Sequence, residues 1–227
     1  MKILILLSAF FLCISANAQK SYLITYKGNY LTDLGFLSHF GNPVFIEDDS
    51  RLVFNDSISY FFSLQKNENR FRKKIYGQQM LDHSMYFNKR KGIIESVFTK
   101  HDVQDNYLVY DSTKVVNWVL LDQTKIINGF TCFAALTISG DNDSTLAFYT
   151  KEIPLPFGPD RYNNLPGVIL EIYDQYLDWH LLATKIDTDD FTISYPKKYN
   201  YISQKEFSLQ EHVIYGKRRV SSHPKQH

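Results

Sequence analysis

Short runs of alternating apolar and polar residues, each closed by a polar turn, recur along this chain and leave few folds open besides an antiparallel sheet. The plainest case is Lys125-Ile126-Ile127, then Asn128-Gly129, then Phe130 to Ile138. Asn-Gly readily takes the positive φ values of a two-residue hairpin turn, so the flanking runs are expected to pair. Leu146 to Thr150 returns after Gly140-Asp141-Asn142-Asp143, and Val168 to Tyr173 faces Trp179 to Ile186 across Asp174 to Asp178. Tyr22 to Tyr26, Leu52 to Phe54, Ile58 to Phe62 and Val115 to Leu121 read as further strands. Ile93 to Phe98 and Tyr107 to Tyr110 flank a polar turn expected at Asp105-Asn106. Sixteen Tyr and 17 Phe reinforce the pattern, because aromatic side chains pack well on a pleated surface. No strand–helix–strand rhythm occurs, which argues against a parallel sheet. The expected fold is mainly β (β-rich α+β): a curved antiparallel sheet or incomplete β-barrel.

Two segments depart from this rhythm. Residues 65–92 are highly charged and carry no clean period, so they read as a long loop or irregular excursion with a helical turn near Met80 to Met85. Ser203-Gln204-Lys205-Glu206 has the spacing of a capping box, in which Ser203 accepts from the backbone and Glu206 reaches back. Phe207, Leu209, Val213 and Ile214 then give a partly apolar face before Gly216. That predicts a C-terminal helix.

The N-terminus is a different kind of sequence. Lys2 precedes an apolar run from Ile3 to Ile14, and Ala16-Asn17-Ala18 ends it, the pattern of a secretory signal peptide over residues 1–18. About a dozen apolar residues are too few to span a bilayer of ~30 Å as a helix. Phe11-Leu12 stand before Cys13 where acylation wants a small residue, so lipidation is not expected there. Cleavage removes 18 of 227 residues and leaves one β-rich domain over 19–227. No second long apolar run follows, so no transmembrane segment is expected after cleavage. The chain is expected to be exported, to the periplasm or the outer membrane.

Net charge and cysteine usage exclude some classes. The formal charge of the full chain is +1, and removing Lys2 with the leader brings it to about 0, too little to hold nucleic acid without a local patch. Lys217-Arg218-Arg219 with Lys225 is the only such patch and reads as a solvated tail. Of two cysteines only Cys132 survives cleavage, which precludes an internal disulfide. Between Thr131 and Phe133 it reads as a small buried hydrophobe.

Residues 151–172 stand apart. Four of the seven prolines fall at 154, 156, 159 and 166. Proline fixes φ and removes a donor, so this stretch is not a central strand before Val168. It reads as a rigid extended connection turning at Gly158-Pro159, with Leu165-Pro166-Gly167 as a tight entry into a buried strand. Gly167 is expected where φ is positive or another backbone comes close.

These residues resemble the GLPGLI family, Porphyromonas-type exported proteins of Bacteroidetes named for a Gly-Leu-Pro-Gly-Leu-Ile hexapeptide. Here the stretch reads Asn164-Leu165-Pro166-Gly167-Val168-Ile169, departing at the first and fifth positions. The surroundings match in order: the Trp118 strand, Lys125 to Cys132, Phe148-Tyr149-Thr150, then Ile153-Pro154 and Gly158-Pro159. The resemblance implies an envelope protein without an established reaction. It also implies a strand pattern similar to lipoprotein-carrier proteins, in which an incomplete barrel surrounds an apolar cavity. Pro154, Gly158, Pro159, Asn164, Leu165, Pro166, Gly167 and Ile169 are then motif positions with a structural role. Asn164, in the family's Gly position, suits a left-handed backbone.

The chain carries no catalytic motif. Phosphate loop, Gly-x-Gly-x-x-Gly, nucleophile elbow and His-Glu-x-x-His are all missing from the sequence, and His39, His83, His101 and His180 are scattered among different elements. No enzyme, metal or cofactor is expected. Glu152, Asp160 and Glu171 surround the proline-rich loop. Either they converge as an acid–base pair at a mouth of the sheet, or Asp160 caps its turn and Glu171 pairs with Arg161. Two functions follow. One is a binding protein that holds an apolar ligand or lipid against the concave sheet; the other is an interaction partner of an outer-membrane transporter or envelope complex, docking by that face or by an open edge.

Overall fold

The computed structural model describes residues 20–32, 44–63, 84–100, 105–112, 115–138, 144–175, 179–195 and 198–210. The expected leader 1–18, the turn at 140–143, most of the 65–92 excursion, the basic C-terminal patch and His39, His83 and His101 lie outside these residues. Among these described residues twelve strands form: β1 (Ser21–Thr32), β2 (Val44–Phe54), β3 (Ile58–Ser63), β4 (Ser84–Asn88), β5 (Ile93–Lys100) and β6 (Asp105–Ser112). β7 (Val119–Ile127), β8 (Phe130–Ile138), β9 (Ser144–Thr150), β10 (Val168–Asp174), β11 (Trp179–Asp189) and β12 (Asn200–Ser203) complete them. They join one sheet in the order β12-β6-β5-β4-β3-β2-β1-β11-β10-β9-β8-β7. The chain is mostly β, as its alternating runs predict, and the sheet is open, with β12 and β7 at its ends. A single helix, α1 at 204–210, occurs among the described residues.

The sheet is strongly curled, and one side chain demonstrates it. Phe157, in the proline-rich loop between β9 and β10, accepts a 3.0 Å bond on its carbonyl from the Ile169 N–H of β10. Its ring meets Phe54 of β2 at 5.7 Å and Phe87 of β4 at 5.5 Å. β10 and β4 are five strand spacings apart in the sheet order, about 24 Å if the sheet were flat. Only a sheet wrapped around the loop lets one phenyl ring touch both regions.

The loop supplies the centre of the core. Ile153, Phe157, Tyr162 and Leu165 are buried with Ile24 and Tyr26 of β1, Leu52 and Phe54 of β2, Ile172 of β10 and Leu181 of β11. Burial of side chains of this size is worth about 1.5–3 kcal/mol each, which is why the prolines can forgo ladder hydrogen bonds here.

Several expectations are corrected by longer-range pairing. Ser84–Asn88 is a strand where a helical turn is expected from sequence, because Tyr86 stacks on Tyr60 at 4.2 Å and pairs with both β3 and β5. Asp105 and Asn106 belong to β6 rather than to a turn, paired with Lys100 and Thr99. Val115 to Trp118 precede β7, whose pairing with β8 shifts register between Leu120 and Thr124 and continues to Ile127. The sheet is not purely antiparallel: β12 lies parallel to β6, Tyr201 opposite Leu108. The Asn128-Gly129 turn forms as expected, with φ of 49° and 83°. The capping box forms too: Glu206 N–H donates to Ser203 Oγ at 3.2 Å and Ser203 N–H to Glu206 Oε2 at 3.0 Å.

Candidate functional site

The family-like hexapeptide is the hinge on which the proline-rich loop folds back over the sheet. Gly167 is required by close approach: a Cβ built there would lie 1.9 Å from the Thr150 carbonyl oxygen at the end of β9. Gly158 is similarly crowded, its Cβ position 2.5 Å from Ile169 Cδ1 and 2.8 Å from the Tyr162 carbonyl. Asn164 takes the left-handed backbone foreseen for it, with φ of 72°, and its N–H reaches the Pro156 carbonyl at 3.2 Å. Leu165 and Ile169 are buried, Pro159 is buried, and Pro154 and Pro166 are exposed. These residues shape and seat the loop.

Side chains then pin the loop from several directions. Tyr162 is held between Thr145 Oγ1 at 3.2 Å and the Asp174 carboxylate, to which its hydroxyl donates. Burial, then the Asp174 carboxylate, pushes the Tyr162 pKa well up, so the phenol stays a donor. Trp118 Nε1 donates to the Asn163 carbonyl at 2.8 Å, and its ring lies 6.0 Å from that of Tyr162. The concave face is thus occupied by the chain itself.

The three acidic residues around the loop do not converge. Glu152 accepts from the Thr131 N–H at 3.0 Å. Asp160, at a φ of 53°, lies 3.4 Å from Arg161. Glu171 pairs with Lys125 of β7 rather than Arg161, and lies 2.9 Å from His180 Nε2 of β11. Lys125 reaches it over the Phe148 ring, 3.8 Å from the centroid. Burial, then the Lys125 charge, lowers the His180 pKa, so the imidazole is neutral beside a carboxylate already paired with lysine. This arrangement ties β7 to the neighbouring strands β10 and β11, three and four positions away in the sheet. Cys132, opposite Lys125 on β8, is fully buried, and burial pushes its thiol up to about 11.

The same β7 that carries Lys125 also exposes, among the described residues, a group of large apolar side chains. β7 is a terminal strand, and Val119, Leu120 and Ile126 on it are 57–67% exposed. Val115 before it and Ile138 at the end of β8 are each 63% exposed. Period-two reading finds the two ends of β7, within Val115 to Leu121 and at Lys125 to Ile127, but does not identify it as an edge, because strand order is set by contacts distant in sequence.

Comparison with known proteins agrees with this description. A family model described as "Protein of unknown function (Porph_ging)" matches residues 139–171, which cover β9, the proline-rich loop and the start of β10. No curated protein sequence matches the chain. Two solved structures of PNGF-II share the fold. The one in space group P21 has a TM-score of 0.62 at 13% identity, covering 84% of this chain and 32% of that one. The one in space group C2 has a TM-score of 0.58 at 12% identity, covering 86% and 33%. The chain therefore spans about a third of the PNGF-II polypeptide it resembles in fold.

Proposed function

We propose that this chain is an exported, non-enzymatic interaction protein of the bacterial envelope, a GLPGLI-type domain that receives an extended segment of a partner protein along edge strand β7. One observation carries the reading: the terminal strand of a twelve-stranded sheet exposes three large aliphatic side chains, flanked by two more from its neighbourhood. An edge of this kind offers unpaired backbone donors and acceptors beside exposed apolar side chains, which is what strand addition uses. Occupation of the concave face by Ile153, Phe157, Tyr162 and Leu165 favours this over an apolar ligand held inside. A fold that makes up a third of a longer chain in PNGF-II is also consistent with a module that works beside other polypeptide. An outer-membrane transporter or other envelope complex is the partner class proposed.

The test is a photo-crosslinking side chain placed at Val119 or Ile126 in the protein expressed in its own cells, with Lys205 on α1 as the control position. A single protein adduct from β7, absent at Lys205 and lost in Val119→Lys, with the crosslink mapped to an extended segment, is the expected result. Equal adducts at all positions, or none from β7, would overturn the proposal.

A further inference from the structure

The Asn128-Gly129 turn does more than reverse the chain between β7 and β8. Asn128 Nδ2 donates to the Ala183 carbonyl of β11 at 2.7 Å. Ala183 is the first residue of β11 beyond its ladder with β10, which runs from Trp179 to Leu182. β8 lies three positions from β11 in the sheet. One side-chain amide therefore ties the tip of this hairpin to a strand with which neither of its own strands pairs.

The same two residues form a reactive pair. Of the ten glycines in the chain, Gly129 alone follows an asparagine. A backbone nitrogen can close on the side-chain carbonyl carbon of the asparagine before it, making a five-membered imide, and glycine, which has no Cβ, hinders that closure least. Asn128 and Gly129 are both exposed, and nothing lies within 4 Å of the position a Cβ of Gly129 would take. The chain around the turn thus leaves room for the ring. What holds the reaction back is the tie itself, since the amide nitrogen that must leave is engaged by Ala183.

We propose that Asn128 is a self-modification site, at which ring closure with Gly129 and hydrolysis unfasten the hairpin tip from β11. The Gly129 nitrogen bonds to Asn128 Cγ, the Cγ–Nδ2 bond breaks, and ammonia leaves carrying the Gly129 amide proton. Solvent water then opens the imide at either carbonyl and gives an aspartyl or an isoaspartyl linkage, with no change of oxidation state. Neither product offers an N–H to the Ala183 carbonyl. The aspartyl form sets a carboxylate oxygen beside that carbonyl, and the isoaspartyl form adds a methylene to the backbone of a two-residue turn. Conversion is irreversible, so it records how long and how often the tip has been open.

The test incubates the 19–227 protein in mildly alkaline buffer, folded and in denaturing urea. The tryptic peptide 126–151 is then mapped by mass spectrometry, with isoaspartyl forms separated. Asn128 should convert before Asn142 of the same peptide, faster in urea than in the folded protein, and many-fold slower in Gly129→Ala, whose methyl hinders the nitrogen. The converted protein, separated from the parent by its added negative charge, should show a lower urea midpoint. An unconverted Asn128, a rate no higher in urea or indifferent to Gly129→Ala, or a converted protein as stable as its parent would overturn the proposal. Should Gly129→Ala fail to fold, its rate is compared with the parent's in urea, where hindrance at the nitrogen acts alone.

Discussion

The Tyr26 hydroxyl donates a buried 2.6 Å hydrogen bond to the carbonyl of Ile169, 143 residues further along the chain. β1 is thereby fastened to the last residue of the hexapeptide, at the point where pairing between β10 and β9 slips between Ile169 and Glu171. A bulge leaves ladder groups in want of partners, and a phenol from two strands away supplies one. Tyr26 is fully buried, and burial raises its pKa well above the ordinary value, which keeps the proton in place for donation.

Tyr26→Phe should therefore lower stability by about 1–3 kcal/mol, the penalty for a buried carbonyl left unsatisfied. Urea unfolding of the 19–227 protein would show a lower midpoint with an unchanged slope. An unchanged midpoint would mean that the Ile169 carbonyl finds another donor.

Two glycines should respond very differently to alanine. At Gly167 the new methyl would stand 1.9 Å from the Thr150 carbonyl oxygen, so β9 and β10 must separate. The loss should exceed about 3 kcal/mol, at the upper end for overpacking. At Gly129, with φ of 83°, nothing lies within 4 Å of the same methyl. Only left-handed strain of about 1–2 kcal/mol is then felt. Parallel urea titrations of the two variants check the ranking, and a Gly129→Ala loss equal to that of Gly167→Ala would contradict it.

What the sequence makes legible is local chemistry. Asn128-Gly129 announces its turn because only a few dipeptides tolerate two positive φ values, and Ser203 with Glu206 announces a helix start because both partners lie within one turn. The prolines around Gly167 mark it for either a positive φ or a close backbone approach, and the approach to Thr150 is the one that occurs. Features that depend on partners distant in the chain are not legible in this way. Glu171 is nearer in sequence to Arg161 but finds Lys125, 46 positions away, because strand order places β7 within reach over Phe148. β12 is hidden because a four-residue strand paired in parallel leaves no alternation to read. Glu95 interrupts the apolar run Ile93 to Phe98, and that interruption is the one available signal of a buried polar side chain.

His180 should make stability depend on pH. Its folded pKa is depressed by burial and by Lys125, below an unfolded value of about 6.5. The unfolded chain then binds the extra proton in the window between the two values, so its contribution is present above about pH 6.5 and is lost as the pH falls through that window. His180→Gln should flatten that part of the stability–pH curve. An NMR titration placing His180 above the ordinary histidine value would reverse the sign, and would mean that Glu171 prevails over Lys125.

Cys132 should be inert in the native protein. Its thiol is pushed up to about 11 by burial and has no solvent exposure, so the thiolate that attacks disulfide reagents is scarce and inaccessible. An aromatic disulfide reagent at pH 8 should label the 19–227 protein only in denaturant. Rapid labelling of the folded protein would mean that β8 opens locally.

Phe157→Ala offers the most direct test of how the curl is held. The ring is fully buried and meets Phe54 and Phe87 from the centre of the loop, so its removal leaves a void between the loop and two distant strands. The expected loss is about 3–5 kcal/mol, combining transfer and cavity terms. If the sheet is held in its curl by neighbouring pairs as well as by this ring, the void persists, and a dry apolar cavity of that kind binds benzene. Saturating benzene should then raise the melting temperature of Phe157→Ala and leave the parent unchanged. A variant that melts lower and ignores benzene would show instead that the sheet closes on the loop when the ring is gone, making Phe157 the spacer that sets the curvature.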